Sequence, residues 1–244
     1  MTATTRTFEI QRSGERFCAD HGWLQSCHSF SFADYQDPNN LRWGALRVFN
    51  DDRVAPAQGF PTHPHRDMEI LTYVLSGELE HQDSMGNRGV VRPGGMQYMS
   101  AGMGVQHSEF NHSPTAELHF VQMWVLPPRP GLPRAYGQRD FTTEDRLDRL
   151  FVAASGRQAI VAPIVLQQDA ALVLSRLEDT TLRHHFDPGR LGFLFVAEGT
   201  ISADGETLGP GDAVRMSGIS SLELMGAGEL VLWDVPEIAE RRYS

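Results

Sequence analysis

Glycine and proline recur along the whole chain, 23 and 14 of them in 244 residues, and the apolar runs left between them are of strand length rather than helix length. Glu69–Leu75, Glu117–Leu126, Ala159–Leu166, Leu191–Val196 and Glu229–Val235 are rich in Val, Ile, Leu, Phe or Thr, with Gly, Pro, Asn or Asp near their ends. Many short strands with closely spaced turns predict an all-β chain built of barrels or sandwiches. Pro163 limits the third run to an edge or bulged strand, because proline cannot donate to a ladder. One short helix is expected, where Thr142-Thr-Glu-Asp145 reads as a capping box ahead of Leu147, Leu150 and Phe151.

The stretch Pro127-Pro-Arg-Pro-Gly-Leu-Pro133 is too proline-rich for a strand interior. The chain is therefore read as an N-terminal domain over 1–126, a linker with a short helix over 127–152, and a C-terminal domain over 153–244. A weak internal echo supports the division. Tyr73-Val-Leu-Ser-Gly77 followed by Val91-Arg-Pro-Gly-Gly95 matches Phe195-Val-Ala-Glu-Gly199 followed by Leu208-Gly-Pro-Gly-Asp212. Both halves read as strand, glycine turn, strand, then Pro-Gly turn.

Several classes of function are excluded. The formal charge of −10 argues against a nucleic-acid footprint. All 21 basic residues are arginine, so Schiff-base catalysis, pyridoxal-phosphate attachment and a Walker-type phosphate loop have no lysine to use. No apolar run reaches the roughly 18 residues of a membrane span, and the start, Met-Thr-Ala-Thr-Thr-Arg-Thr-Phe-Glu, has no signal-peptide core. A cytoplasmic protein is expected. Cys18 and Cys27 make no disulfide framework and are expected to be inert.

Eight of the ten histidines precede the linker. Two motifs among them carry chemistry: Thr62-His63-Pro64-His65 and Gln106-His107-Ser108-Glu109. Residues i and i+2 of a strand point to the same face, so each motif offers two ligating groups to one side of a sheet. Two such strands facing each other in a barrel supply three imidazoles and one carboxylate. That donor set suits Fe, Mn, Ni, Cu or Co and leaves one or two positions open for substrate or water. A structural zinc site would instead be closed, four-coordinate and usually cysteine-rich. Taken singly, each residue has an ordinary reading: His63 and His65 on an exposed strand face, His107 in the core, Glu109 as a solvated charge. Glycines 94, 95, 102 and 104, with the largely apolar Met96-Gln-Tyr-Met99, are consistent with a pocket beside His107. His81, His112 and His119 are read as ordinary strand or turn residues, and Trp23 and Trp43 as core.

These residues resemble the cupins, and within them the pirins. The first cupin motif is matched by Gly59…His63-Pro-His65…Glu69…Gly77, and the second by Pro93-Gly-Gly95…His107…Asn111. Pirin-like signatures are found in Phe60-Pro-Thr-His-Pro-His-Arg-Asp-Met-Glu-Ile70, Gln97-Tyr-Met-Ser-Ala-Gly102 and His107-Ser-Glu-Phe-Asn111. Gly22-Trp-Leu, Ser29–Tyr35 and Gly44–Val48 resemble the family's N-terminal region. The likeness runs from about residue 6 to residue 126.

The resemblance implies two tandem cupin (jelly-roll) barrels, with metal only in the first. It implies His63, His65, His107 and Glu109 as ligands, most often of Fe(II). It also implies an enzyme similar to quercetin 2,3-dioxygenases, which open the flavonol central ring with O2 and release carbon monoxide. Glu109 is then both ligand and general base. Glu69, which ligates in the general cupin pattern, ranks as an outer-sphere group or alternative ligand. An alternative role, also found in pirins, is an iron-dependent redox-sensitive regulator that binds a transcription factor or other protein partner. The expected partners are a small aromatic substrate and O2, with no nucleic acid and no membrane. In the second barrel, His185 stands at the offset of His63 from the glycine turn, but Asp187 replaces the second histidine. A packing role is expected there.

Overall fold

The computed structural model describes residues 6–238. It bears out the all-β expectation and the two tandem jelly-roll barrels. The chain opens with β1 (Thr7–Gln11). The N-terminal barrel comprises Phe17–Arg42 and Leu46–Thr142. Its strands are β2 (Phe17–Asp20), β3 (Leu24–His28), β4 (Leu46–Val54), β5 (Gly59–His65), β6 (Glu69–Ser76), β7 (Leu79–Asp83), β8 (Arg88–Val91), β9 (Gly95–Ser100), β10 (Val105–Asn111), β11 (Leu118–Val125) and β12 (Ala135–Asp140). They form a seven-stranded sheet in the order β12-β9-β6-β11-β4-β3-β2 and a four-stranded sheet in the order β5-β10-β7-β8. Period-two patterning places the side chains. Along β10, Val105, His107, Glu109 and Asn111 are buried, whereas Gln106 and Phe110 are exposed.

The C-terminal barrel holds, of the described residues, those up to Arg16, Trp43–Ala45 and those from Thr143 onward. After α1 (Thr143–Arg146) come β13 (Phe151–Ser155), β14 (Ile164–Val165), β15 (Ala171–His185), β16 (Arg190–Ala203), β17 (Glu206–Leu208), β18 (Ala213–Ser217) and β19 (Ser221–Pro236). One sheet runs β1-β18-β16-β19-β15-β13-β14, with β17 beside β16. Each of the long strands β15, β16 and β19 does the work of two strands of the first barrel. Shifts of register bend them, for instance between Val196 and Glu198.

The internal echo is a shared hydrogen-bonding device. The Gly94 N–H donates to the Val74 carbonyl at 2.9 Å, and the Gly211 N–H donates to the Val196 carbonyl at 2.8 Å. Val74 and Val196 each stand three residues before a glycine of positive φ, Gly77 (+80°) and Gly199 (+76°). A Cβ there would collide with the backbone at Glu117 and Ala227 respectively, so only glycine serves.

The structure departs from the expected boundaries in four places. β1 does not belong with residues 17–126: it pairs with β18, Thr7 opposite Ser217 through Gln11 opposite Ala213. The 127–152 segment is not only a linker, because β12 pairs with β9 and closes the first barrel's large sheet. The helix stops after one turn. Asp148 takes φ +50°, its N–H donates to the Arg176 carbonyl and its carboxylate accepts from the Glu178 N–H, each at 2.8 Å, which draws the chain onto the sheet. Leu150 consequently packs into the barrel core rather than along a helix face. The run Ala159–Leu166 reduces to the two residues of β14. Cys18 and Cys27 also differ from expectation. The tight β2–β3 hairpin sets them directly opposite each other and they form a disulfide. No helix among the described residues is long and apolar enough to cross a membrane.

Candidate metal centre

β5 and β10 are antiparallel neighbours with His63 opposite His107 and Val105 opposite His65. Alternation turns His63 and His65 to the same side as His107, and the three rings meet. Their centroids are 4.7 Å (His63–His65), 4.5 Å (His63–His107) and 4.8 Å (His65–His107) apart. Nitrogens of the three rings lie within 4.8 Å of one another. Nδ1 of His63 is 2.8 Å from the Pro61 carbonyl, which can only accept. The proton therefore sits on Nδ1, and the Nε2 lone pair is left bare for a metal. Both ring nitrogens of His107 are buried and have no hydrogen-bond partner among the described residues.

Such an arrangement disfavours protonation. The pKa of His65 is pushed down to about 4, by burial first and then by His107 and His63, against the opposing pull of Glu109. That of His107 is pushed down to about 3, by burial first and then by His63 and His81, against Asp83. Neutral imidazoles that converge on one point are metal ligands in waiting, so the residues present fit a divalent ion of borderline softness.

Glu109 is buried and projects toward the inner face of the large sheet. Nε2 of Gln97 donates to its Oε1, and Nε2 of Gln122 donates to its Oε2 at 2.8 Å. The Thr72 hydroxyl lies 3.4 Å from Oε1. Nε1 of Trp124 donates to Oε1 of Gln122 at 3.1 Å, which sets the amide so that its NH2 faces the carboxylate. Glu109 shares a 4.8 Å cluster with His107 and His81. His81, read from the sequence as ordinary, is therefore next to the site. Its ring stacks on Tyr136 at 4.6 Å, and its Nε2 lies 3.2 Å from Asp83 Oδ2. Burial opposes ionisation of Asp83, but hydrogen bonds from Asn87, His81 and the Met85 N–H hold its pKa below the usual carboxylate range.

Glu69 is elsewhere. A turn at Asp67 (φ +49°) separates β5 from β6, so the parity of His63 and His65 does not carry through. Thr72 faces Glu109, and Glu69 lies on the opposite face of β6, buried, accepting from the Tyr98 hydroxyl at 2.6 Å.

A cavity of about 380 Å³ opens on the cluster. His63, His65 and Glu109 stand on one part of its wall, and Phe32, Phe60 and Trp124 supply aromatic faces. Sequence reading missed the amides that hold Glu109. Gln122 was visible as the one polar residue at inward parity between Phe120 and Trp124, but only the paired strands give that parity a meaning.

Comparison with known proteins decides the kinship. The Pirin family profile matches residues 9–125, and that of the quercetinase C-terminal cupin domain matches residues 150–232. Quercetin 2,3-dioxygenase of Escherichia coli (strain K12) is 39% identical over 238 residues, 94% of this chain and 99% of that protein. The chain belongs to the pirin family. A pirin-like protein of Caulobacter vibrioides is 40% identical over 219 residues, 88% of this chain and 94% of that one. The solved bacterial pirin YhhW from Escherichia coli, in complex with nickel(II), superposes with a TM-score of 0.87 at 38% identity, covering 95% of this chain and all of that one. This pirin thus shares its family with proteins named quercetin 2,3-dioxygenase and with a pirin solved in complex with nickel(II), and its own histidine cluster fits a divalent ion.

Proposed function

We propose that this pirin is a metal-dependent dioxygenase of quercetin-like flavonols, opening the central ring with O2 and releasing carbon monoxide. His63, His65, His107 and Glu109 would hold the metal, most readily Fe(II), with Mn, Ni, Co and Cu able to use the same donors. The observation that carries the reading is the His63–His65–His107 cluster, in which His107 keeps two buried nitrogens and His63 and His65 line a cavity of a size that takes an aromatic substrate. The bound ion supplies Lewis acidity toward a substrate hydroxyl and a path for electrons toward O2.

The chain's own residues do the rest. Glu109 accepts the proton of the flavonol 3-hydroxyl at a carboxylate oxygen, which leaves the ring electron-rich. Gln97 and Gln122 fix the direction of that oxygen through their amide donors. Phe32, Phe60 and Trp124 present apolar faces to the rings and keep water from the electron-rich intermediate.

Oxygen uptake by the iron-loaded protein on adding quercetin tests the proposal, with Glu109→Gln beside it. Quercetin-dependent uptake that falls at least about 100-fold in Glu109→Gln is the expected result. Uptake unchanged in that variant would remove Glu109 from the mechanism. No uptake by protein shown to hold metal would overturn the dioxygenase reading and favour the redox-regulatory alternative.

A further inference from the structure

The inner face of the first barrel's large sheet carries a row of polar side chains on five adjacent strands. Strand register places Gln97 opposite Thr72, Thr72 opposite Gln122, Gln122 opposite Asn50, and Asn50 opposite His28. Buried sheet faces are ordinarily apolar, and a polar group there is retained only with a partner. The first three members are explained by Glu109, which they hold. Asn50 and His28 form a pair of their own. Nδ1 of His28 lies 2.8 Å from Oδ1 of Asn50. Two residues along, Asp52 stands opposite Ser26 and accepts a hydrogen bond from its hydroxyl.

All four of these residues are almost fully buried, and all four line the same cavity as His63, His65 and Glu109. A carboxyl group on a cavity wall offers acceptor oxygens to a ligand there, as aromatic rings do not. Such oxygens suit a hydroxyl-bearing ligand, since a carboxyl group presents two acceptor atoms side by side. Spacing agrees. From Gln122, beside Glu109, to Asp52 is one inter-strand step and one two-residue step, roughly 8 Å by sheet geometry. That is the scale of the separation between hydroxyls on two joined aromatic rings.

We infer that Asp52, with Ser26, His28 and Asn50, is the specificity-determining end of the cavity, and that it selects substrates carrying adjacent hydroxyls, a catechol, on the ring remote from the metal. The inference rests on the flavonol reading above and adds which flavonols the site prefers. Asp52 accepts from the catechol hydroxyls, Ser26 holds one carboxylate oxygen in place, and the His28–Asn50 pair keeps the neighbouring wall polar.

Anaerobic binding to the metal-loaded protein tests this without turnover, followed by quenching of tryptophan fluorescence, to which Trp124 in the cavity wall contributes. Quercetin carries the catechol, and galangin is the same flavonol without hydroxyls on that ring. Wild-type protein should bind quercetin at least about tenfold more tightly than galangin. In Asp52→Asn, which preserves shape, quercetin should weaken about tenfold while galangin stays within about twofold. Ser26→Ala, a smaller change, should move quercetin alone in the same direction and decides the matter if Asp52→Asn does not fold. Equal affinities in the wild type, or a preference that survives in both variants, would overturn the inference while leaving the flavonol reading intact. Failure of both ligands to bind would overturn both.

Discussion

Across the large sheet of the first barrel the inner row reads Gln97, Thr72, Gln122, Asn50, His28. Across the second barrel, on the strands in the same order, it reads Val214, Leu194, Leu232, Val173, Val152. The registration is fixed by the shared device in which Gly94 bonds to Val74 and Gly211 to Val196, two residues beyond Thr72 and Leu194. Four of the five apolar residues are buried members of the second core, and Val152 packs against it. Leu222 and Leu224 of β19 join them there, so the second interior is filled with aliphatic carbon. His184, paired with Leu222, is at the edge of this interior with its ring 4.5 Å from Phe186, while His185 is exposed. The same topology thus accommodates two interiors: one kept polar around a donor cluster, the other apolar and contributing stability.

The two rows can be exchanged one residue at a time. Leu232→Gln puts an amide into the apolar row, where it loses the leucine's transfer energy and strands a polar group. It should cost about 3–4 kcal/mol in urea denaturation and leave metal content unchanged. The reverse exchange, Gln122→Leu, should retain metal and stay folded at a cost of about 1–2 kcal/mol, since Glu109 and the Trp124 N–H each lose a partner, and lose about 10–100-fold in quercetin-dependent O2 uptake. If Gln122→Leu unfolds the protein instead, the polar row is structural and the contrast fails.

The smallest effect concerns the turns. Where the first barrel has Pro93-Gly-Gly95, the second has Pro210-Gly-Asp212, and the Asp212 carboxylate accepts from the N–H groups of Ser13 (2.8 Å) and Gly209 (3.0 Å) and from Arg12 (2.9 Å). A Cβ at Gly95 would stand 2.9 Å from the Arg92 carbonyl and Asp140, so the first barrel has no room for the aspartate. Burial raises the Asp212 pKa, but those hydrogen bonds and the Arg12 charge outweigh it and hold the group below its usual range. A lowered folded-state pKa contributes stability above the unfolded value near pH 4, and that contribution is lost as pH falls through the folded value. Asp212→Gly should therefore cost about 1–2 kcal/mol at pH 7, and the wild-type and variant stability curves should converge below about pH 4.

Much of this was legible in the chain itself. The glycine and proline spacing announced the strands, the two i, i+2 motifs announced the three-histidine cluster, and the Gly77 and Gly199 echo announced the duplicated barrel. What escaped depends on where the chain turns and which strands pair. Glu69 has the numerical parity of His63 and His65, yet the turn at Asp67 resets the face. β1 cannot be assigned to the second barrel without knowing that β18 offers it an edge. The Leu147–Leu150–Phe151 spacing fits a helix, but Asp148 binds the sheet and ends it. Cys18 and Cys27 pair only once the hairpin is known.

Metal content per chain, measured after loading with Fe(II) and exhaustive removal of weakly held ion, tests the central contrast most directly. The account predicts one ion in the wild type, none in His107→Ala, and one in His184→Ala. Two ions in the wild type, or an ion kept by His107→Ala and lost by His184→Ala, would contradict it.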